Sequence, residues 1–326
     1  MISSTSSSHA SGSEPIWAVL GASGFIGSSL QAVLTRAGIT VRFVKAPRLN
    51  AQSTDASGIL AEAARLQDIR QDLAGELAGA DVVINAAGLA TPTGADSPVL
   101  RGANALLPVL VADAADAAGA RRFIHLSSAA VQGHRPLLDE TDQVEPFSAY
   151  SRSKALGEAA LGARKPGRCP VTCLRATSVQ GTERQTTASL VRIASTPLAS
   201  VAGRGDAPSP VSSVDALCAF VLTAGRYEGT VPPVILQPWE GATVASVLTA
   251  AGGRKPLHLP AWLCRAGLAA GYLVSRLLGE RLHGTLRRVE MMWFGQRQEP
   301  GWAEATGNVP EPSVERVLEA ARREQH

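Results

Sequence analysis

The chain has 326 residues, 45% of them hydrophobic and 18% charged, with 31 glycines, 20 prolines and a formal net charge of +3. This balance excludes a disordered or fibrous chain and suits one large α/β domain, or one domain with a smaller lobe. The basic residues are dispersed, with Arg121–Arg122 and Arg287–Arg288 as isolated pairs, so no nucleic-acid partner is expected.

Residues 1–14 are Ser-rich and lack the basic and apolar regions of a secretory signal, which predicts a disordered leader. PIWAVL (15–20) reads as a buried strand, and GASGFIG (21–27) leads into a helix that stops at Gly38. ITVRFVKA (39–46) is a second strand, and Ile69 between Asp68 and Asp72 suggests a short third one. DVVINAAG (81–88) and RRFIHLSSAA (121–130) read as buried strands on either side of a helix over Asn104–Ala118. A helix over Tyr150–Gly162 and a strand over CPVTCLRAT (169–177) follow. This alternation predicts a doubly wound parallel α/β sheet, the Rossmann architecture, with right-handed crossovers. Beyond it lie a helix (212–225), a short strand (232–238) and a less regular remainder. The expected division is a nucleotide-binding domain over 15–180 plus about 211–238. A smaller substrate-binding lobe takes about 181–210 and 239–322.

The glycine loop sits where such a motif carries meaning, after a strand and before a helix. Gly21 would let the chain turn off the strand, Gly24 would let backbone approach a pyrophosphate, and Gly27 would allow tight helix–strand packing. The second strand carries no acid of the kind that selects a free ribose hydroxyl. It offers Arg42, Lys45 and Arg48, any of which could meet a 2′-phosphate, so NADP(H) is favoured over NAD(H).

Ser127 and Ser128 fall at the C-terminal end of a parallel strand, the edge where open α/β sheets hold their ligands. Tyr150 and Lys154 lie one turn apart on the next helix. Hydride delivery to a carbonyl builds negative charge on oxygen. A tyrosine can donate the proton if a nearby ammonium lowers its pKa, and a serine can supply a second hydrogen bond.

With GASGFIG, NAAG at 85–88, FIHLSSAAVQG and YSRSK in place, the chain resembles the extended short-chain dehydrogenase/reductases, the NAD(P)-dependent epimerase/dehydratase family, over roughly residues 15–240. The resemblance implies Ser128, Tyr150 and Lys154 as the catalytic group, with Asn104 supporting it. It implies cofactor contacts from Gly21, Ser23, Gly24, Phe25, Ile26, Gly27, Ala86 and Ala87, with Tyr150 and Lys154 on the ribose side. No metal is implied; the substrate is a small molecule, and a homodimer is compatible with the family.

Departures bear on the substrate. Val131-Gln132-Gly133 and Val179-Gln180-Gly181 stand where many sugar-nucleotide enzymes have VYG, and Ala129-Ala130 replace the acidic pair of the dehydratases. Dehydration is therefore set aside. Reduction of a ketone is expected, with a nucleotide-linked keto-deoxysugar as the leading substrate and Arg184, Arg192 and Arg204 as diphosphate contacts. The alternatives are a sugar-nucleotide epimerase, a reductase of a steroid-like or flavonoid-like ketone lying against Trp262, Leu263, Tyr272 and Leu273, and a nucleotide-sensing protein without turnover. His125 reads as a core group, and His134 as a loop residue within reach of a substrate. The stretch 260–279 is interrupted by Arg265 and Arg276. With no uninterrupted apolar span, it reads as an amphipathic helix packed on its own protein rather than a membrane anchor. Four sparse cysteines without a metal-ligand pattern point to reduced thiols and a cytoplasmic location.

Overall fold

The structure is a computed structural model, and it describes residues 15–90, 95–277 and 282–325; the Ser-rich leader lies outside them. Strand β1 (Ile16–Leu20) leads to α1 (Phe25–Arg36), β2 (Thr40–Val44), α2 (Ala56–Arg65), α3 (Gln67–Leu77) and β3 (Val82–Asn85). Helix α4 (Pro98–Arg101), a π turn (Gly102–Leu106) and α5 (Leu107–Ala117) form one continuous rod before β4 (Arg122–Ser128). A 3₁₀ turn (Ala129–Gln132), β5 (Leu137–Leu138), α6 (Ala149–Ala163), β6 (Val171–Ala176) and β7 (Ser178–Gln180) follow. Then come α7 (Gln185–Ala194), β8 (Ser200–Ala202), β9 (Val211–Ser213), α8 (Val214–Arg226) and β10 (Val234–Leu236). The chain closes with α9 (Val244–Gly252), β11 (Leu257–Leu259), α10 (Ala261–Leu277), α11 (His283–Phe294), β12 (Arg297–Gln298), α12 (Trp302–Ala305) and α13 (Val314–Gln325).

Six parallel strands form the main sheet in the order β2-β1-β3-β4-β6-β10. The chain leaves β1 toward β2 and then crosses back to β3, so the direction of winding reverses between β1 and β3. The loops after these two strands diverge and leave a crevice at the sheet's C-terminal edge. Leu73 and Leu77 of α3, the body of α5, and Ala160 and Leu161 of α6 pack on one face. Leu30 and Leu34 of α1, Leu217, Phe220 and Val221 of α8, and Trp302 pack on the other. A separate core, with Val191 of α7, Val247 and Leu248 of α9 and Leu318 of α13, holds the second lobe together.

Two expectations are corrected. The short strand at Ile69 is part of α3, because Leu66, Ile69, Leu73 and Leu77 recur every three or four residues and face the core, a helical period. The helix placed from Asn104 starts earlier: the Ser97 side chain accepts from the Leu100 N–H and Pro98 opens the first turn. Pro108 then brings no N–H to the Asn104 carbonyl, and the rod widens there into the π turn, closed by the Leu107 N–H on the Gly102 carbonyl. By length and composition the whole rod could cross a membrane, but most of it is buried as a core helix. Helix α10 packs on its own protein along one side, through Cys264, Leu268 and Ser275, while Trp262, Leu273 and Leu277 stand out in solvent.

Candidate active site

The crevice is built from glycines and an asparagine. Gly21 has φ +84°, and a Cβ there would lie 2.5 Å from the Ala87 nitrogen. The β1 turn and the β3 turn therefore meet only because residue 21 has no side chain. Asn85 fixes the β3 side, its Oδ1 accepting from the Ala87 N–H at 3.1 Å. Gly27 seats α1 on the loop, since a Cβ would be 2.2 Å from the Gly21 carbonyl oxygen. Gly24 is the N-cap of α1, and no side chain caps it. Ser23 and Gly24 are exposed at the loop tip, while Phe25 and Ile26 turn partly into the core. Backbone N–H groups at an uncapped helix start beside this crevice suit the pyrophosphate of a dinucleotide.

Ser128 ends β4 and accepts from the Ala130 N–H at 3.2 Å, which orients its hydroxyl. Tyr150, in the first turn of α6, lies beside Ser128, near enough for the serine hydroxyl to act on the acidity of its phenol. The turn is set by a capping box in which Ser148 and Ser151 bond reciprocally. Burial raises the Tyr150 pKa above the ordinary phenol value, and the Ser128 hydroxyl and the charge of Arg184 offset part of that rise. Arg184 sits at the N-cap of α7, its guanidinium 5.2 Å from the centroid of the Phe25 ring and hydrogen-bonded to the Val179 carbonyl. Gly181 lets that ring in; a Cβ there would lie 2.5 Å from it.

Lys154 is buried, and its Nζ donates to the Leu126 carbonyl at 2.9 Å. Burial draws its pKa down to about 8, while Glu158 and Cys173 act in the opposite direction. Asn104, wholly buried in the π turn, accepts from the Leu89 N–H and donates to the Leu89 carbonyl and Ser153 Oγ, each at 2.9 Å. Ser153 Oγ in turn donates to the Tyr150 carbonyl at 2.7 Å. Asn104 thus ties the β3 loop to the helix that carries Tyr150 and Lys154. Gly88 completes the cluster: a Cβ on it would lie 2.8 Å from Asn104 Oδ1 and 3.1 Å from Lys154 Nζ.

Not every expected residue converges. The Arg42 guanidinium donates to the carbonyls of Glu76 and Ala78 at 3.1 and 2.6 Å, at the C-terminal end of α3. It is placed there as a helix-end partner. Lys45 and Arg48 are exposed just past β2. His134 packs edge-on against Phe147 at 5.7 Å. His125 is buried beside Lys154 and Asn85, with a pKa held well below the ordinary value by burial. All four cysteines are free and buried.

Beneath the site lies an ion pair that the sequence reading passed over. Arg175, fully buried, meets Glu158 at 2.7 Å and donates to the carbonyls of Asp139 and Thr141 at 3.1 and 2.7 Å. Ser127 Oγ donates to the same Glu158. The signal was available: a lone arginine in the apolar run VTCLRA requires a buried partner. Glu158 lies one turn past Lys154 on the same face of α6.

The crevice and these side chains lie at the C-terminal edge of a six-stranded parallel sheet, where open α/β sheets hold their ligands. The chain belongs to the NAD dependent epimerase/dehydratase family, whose model matches residues 17–212. It is 36% identical over 155 residues to the 4-hydroxy-2-methyl-3-oxo-4-farnesyl-3,4-dihydroquinoline-1-oxide ketoreductase of Stigmatella aurantiaca, covering 46% of each chain. The chain therefore spans about half the length of that curated relative. Among solved structures it is similar to the UDP-glucuronic acid 4-epimerase of Bacillus cereus in complex with NAD (TM-score 0.63, 20% identity, 94% of this chain and 96% of that one). It is also similar to the human epimerase family protein SDR39U1 with NADPH (TM-score 0.62, 18% identity, 94% and 99%). At these identities the likeness to solved structures is one of fold.

Proposed function

We propose that this protein is a ketoreductase that uses NADPH in preference to NADH and reduces an apolar, ring-bearing ketone. The observation that carries the reading is the placement of Tyr150 next to Ser128, with Lys154 one turn on, beside the glycine crevice. A bound nicotinamide would supply the hydride. The chain's own residues would do the rest. The α1 N-terminus and the backbone of Gly21–Gly27 would hold the pyrophosphate, with Ala86 and Ala87 lining the crevice. The Tyr150 hydroxyl would give its proton to the carbonyl oxygen while Ser128 donates a second hydrogen bond, so the developing oxyanion meets two fixed donors. Lys154, with a pKa of about 8, can exchange protons near neutral pH one turn from the tyrosine. Asn104 would keep both residues in place through Ser153 and Leu89. The preference for NADPH rests on Lys45 and Arg48, exposed past β2 where no acid stands to bind a free 2′-hydroxyl.

The substrate class follows from two supports. The curated relative is described as reducing a farnesylated quinoline ketone. The arginines expected to meet a sugar-nucleotide diphosphate are dispersed. Arg184 is stacked on Phe25, Arg204 is paired with Asp206 at 3.0 Å in solvent, and Arg192 lies on the exposed side of α7. The test is NADPH consumption with matched substrates, a prenylated quinoline ketone and a UDP-linked 4-keto sugar. Turnover of the first at a kcat/KM at least tenfold higher is the expected result. The opposite ranking would return the substrate to the nucleotide sugars and leave the ketoreductase assignment standing.

A further inference from the structure

Helix α10 is held along one side only. Cys264, Leu268 and Ser275 are buried, and the Tyr272 hydroxyl donates to Glu290 of α11 at 2.8 Å. Gly271 faces Leu286 of α11, where a Cβ would come within 2.7 Å of a methyl. At 3.6 residues per turn these positions form one stripe. The opposite side carries Trp262, Leu263, Leu273, Val274 and Leu277, with relative exposures of 70, 47, 60, 48 and 80%. Only alanine and glycine stand between them on that side, so the apolar face is continuous over a helix about 25 Å long. A face of that size in open solvent marks a docking surface.

The charges indicate what docks. Arg265 and Arg276 are both exposed and fall together on one flank of the apolar face, three turns apart. The sequence from Gly241 to Leu277 contains no Asp or Glu. Glu290, the carboxylate that meets α10, is taken up by Tyr272 and by Arg287 at 2.8 Å. A second copy of the chain would bring the same arginines and no acid on its α10 to meet them. An anionic headgroup layer complements both arginines, and its acyl boundary accepts the tryptophan and leucines.

We propose that α10 docks the protein reversibly on anionic lipid bilayers, lying in the interface without crossing it. The proposal is independent of the substrate class, although an apolar ketone would itself partition into the same layer. The test is sedimentation of the full chain with vesicles of phosphatidylcholine alone and of phosphatidylcholine mixed with phosphatidylglycerol. The protein should pellet with the mixed vesicles, less with the neutral ones, and less again as salt is raised. Leu273→Glu should abolish pelleting, and Arg265→Gln and Arg276→Gln should each lower the partition coefficient about fivefold. An unchanged melting temperature and NADPH affinity would confirm that each variant is folded. Wild-type protein that stays in the supernatant with mixed vesicles overturns the proposal. So does a concentration-dependent dimer that Leu273→Glu dissociates without any vesicle binding, which would give the face to a second copy. Unimpaired pelleting of Leu273→Glu would show that α10 is not the docking element.

Discussion

Tyr150 is the residue on which the chemistry turns, and its acidity is a balance of burial against two partners. Burial raises its pKa, and the Ser128 hydroxyl and the Arg184 charge offset part of that rise. Removing the charge in Arg184→Leu should raise the Tyr150 pKa. The alkaline limb of ketone reduction, where the phenol loses its proton, would then move to higher pH. The rising limb of alcohol oxidation, which needs the tyrosinate, should move the same way, and Arg184→Lys should bring both back. pH profiles of kcat/KM in the two directions measure this, and an unmoved profile would remove Arg184 from the account. At this scale the sequence was readable where chemistry imposes residue types at fixed spacing, as for Ser128, Tyr150 and Lys154. It was less so for Arg184, whose meeting with Phe25 depends on how the second lobe starts, or for the bonds of Arg42 to the end of α3.

Helix α6 delivers Tyr150 and Lys154, and its position depends on a glycine that the sequence reading did not single out. A Cβ on Gly157 would come 2.3 Å from the Asn104 carbonyl oxygen, to which Pro108 brings no N–H. The π turn and α6 are thus matched across one backbone contact. Gly157→Ala should cost about 1–3 kcal/mol of stability by overpacking and lower kcat by displacing Tyr150 from Ser128. Gly162 in the same helix has open space around its Cβ position. Gly162→Ala should stabilise by roughly 0.5–1 kcal/mol and leave kcat unchanged. Melting curves with steady-state rates for the pair separate the contact at Gly157 from the general effect of adding a methyl group to a helix. Element type was legible wherever periodicity was strong, as in β1, β4 and α6. It failed at Ile69, where two flanking acids mimicked strand alternation within a helical period.

At the scale of the whole molecule the sheet and the second lobe are joined at several points, and one of them is Glu240. Its carboxylate accepts from the Ser213 N–H at 2.6 Å, next to the start of α8, and from the Ser313 and Val314 N–H groups at 2.7 and 2.9 Å, at the start of α13. A single charge therefore caps a sheet-side helix and a lobe-side helix together. Glu240→Gln should destabilise the protein by about 2 kcal/mol and make the segment before α13 a preferred site of limited proteolysis; an unchanged digestion pattern would contradict this role. The parallel sheet was legible from alternating strand and helix patterns. The lobe was not, because its strands are three residues long or shorter and its order comes from distant pairings such as β8 with β11.

The most direct test of the account is a comparison of wild type with Tyr150→Phe, measuring NADPH-dependent ketone reduction and NADPH binding on the same preparations. The expected result is a loss of about 10²-fold or more in kcat with the NADPH dissociation constant nearly unchanged. Ketone reduction that survives the substitution would contradict the assignment of Tyr150 as the acid and, with it, the mechanism built on Ser128 and Lys154.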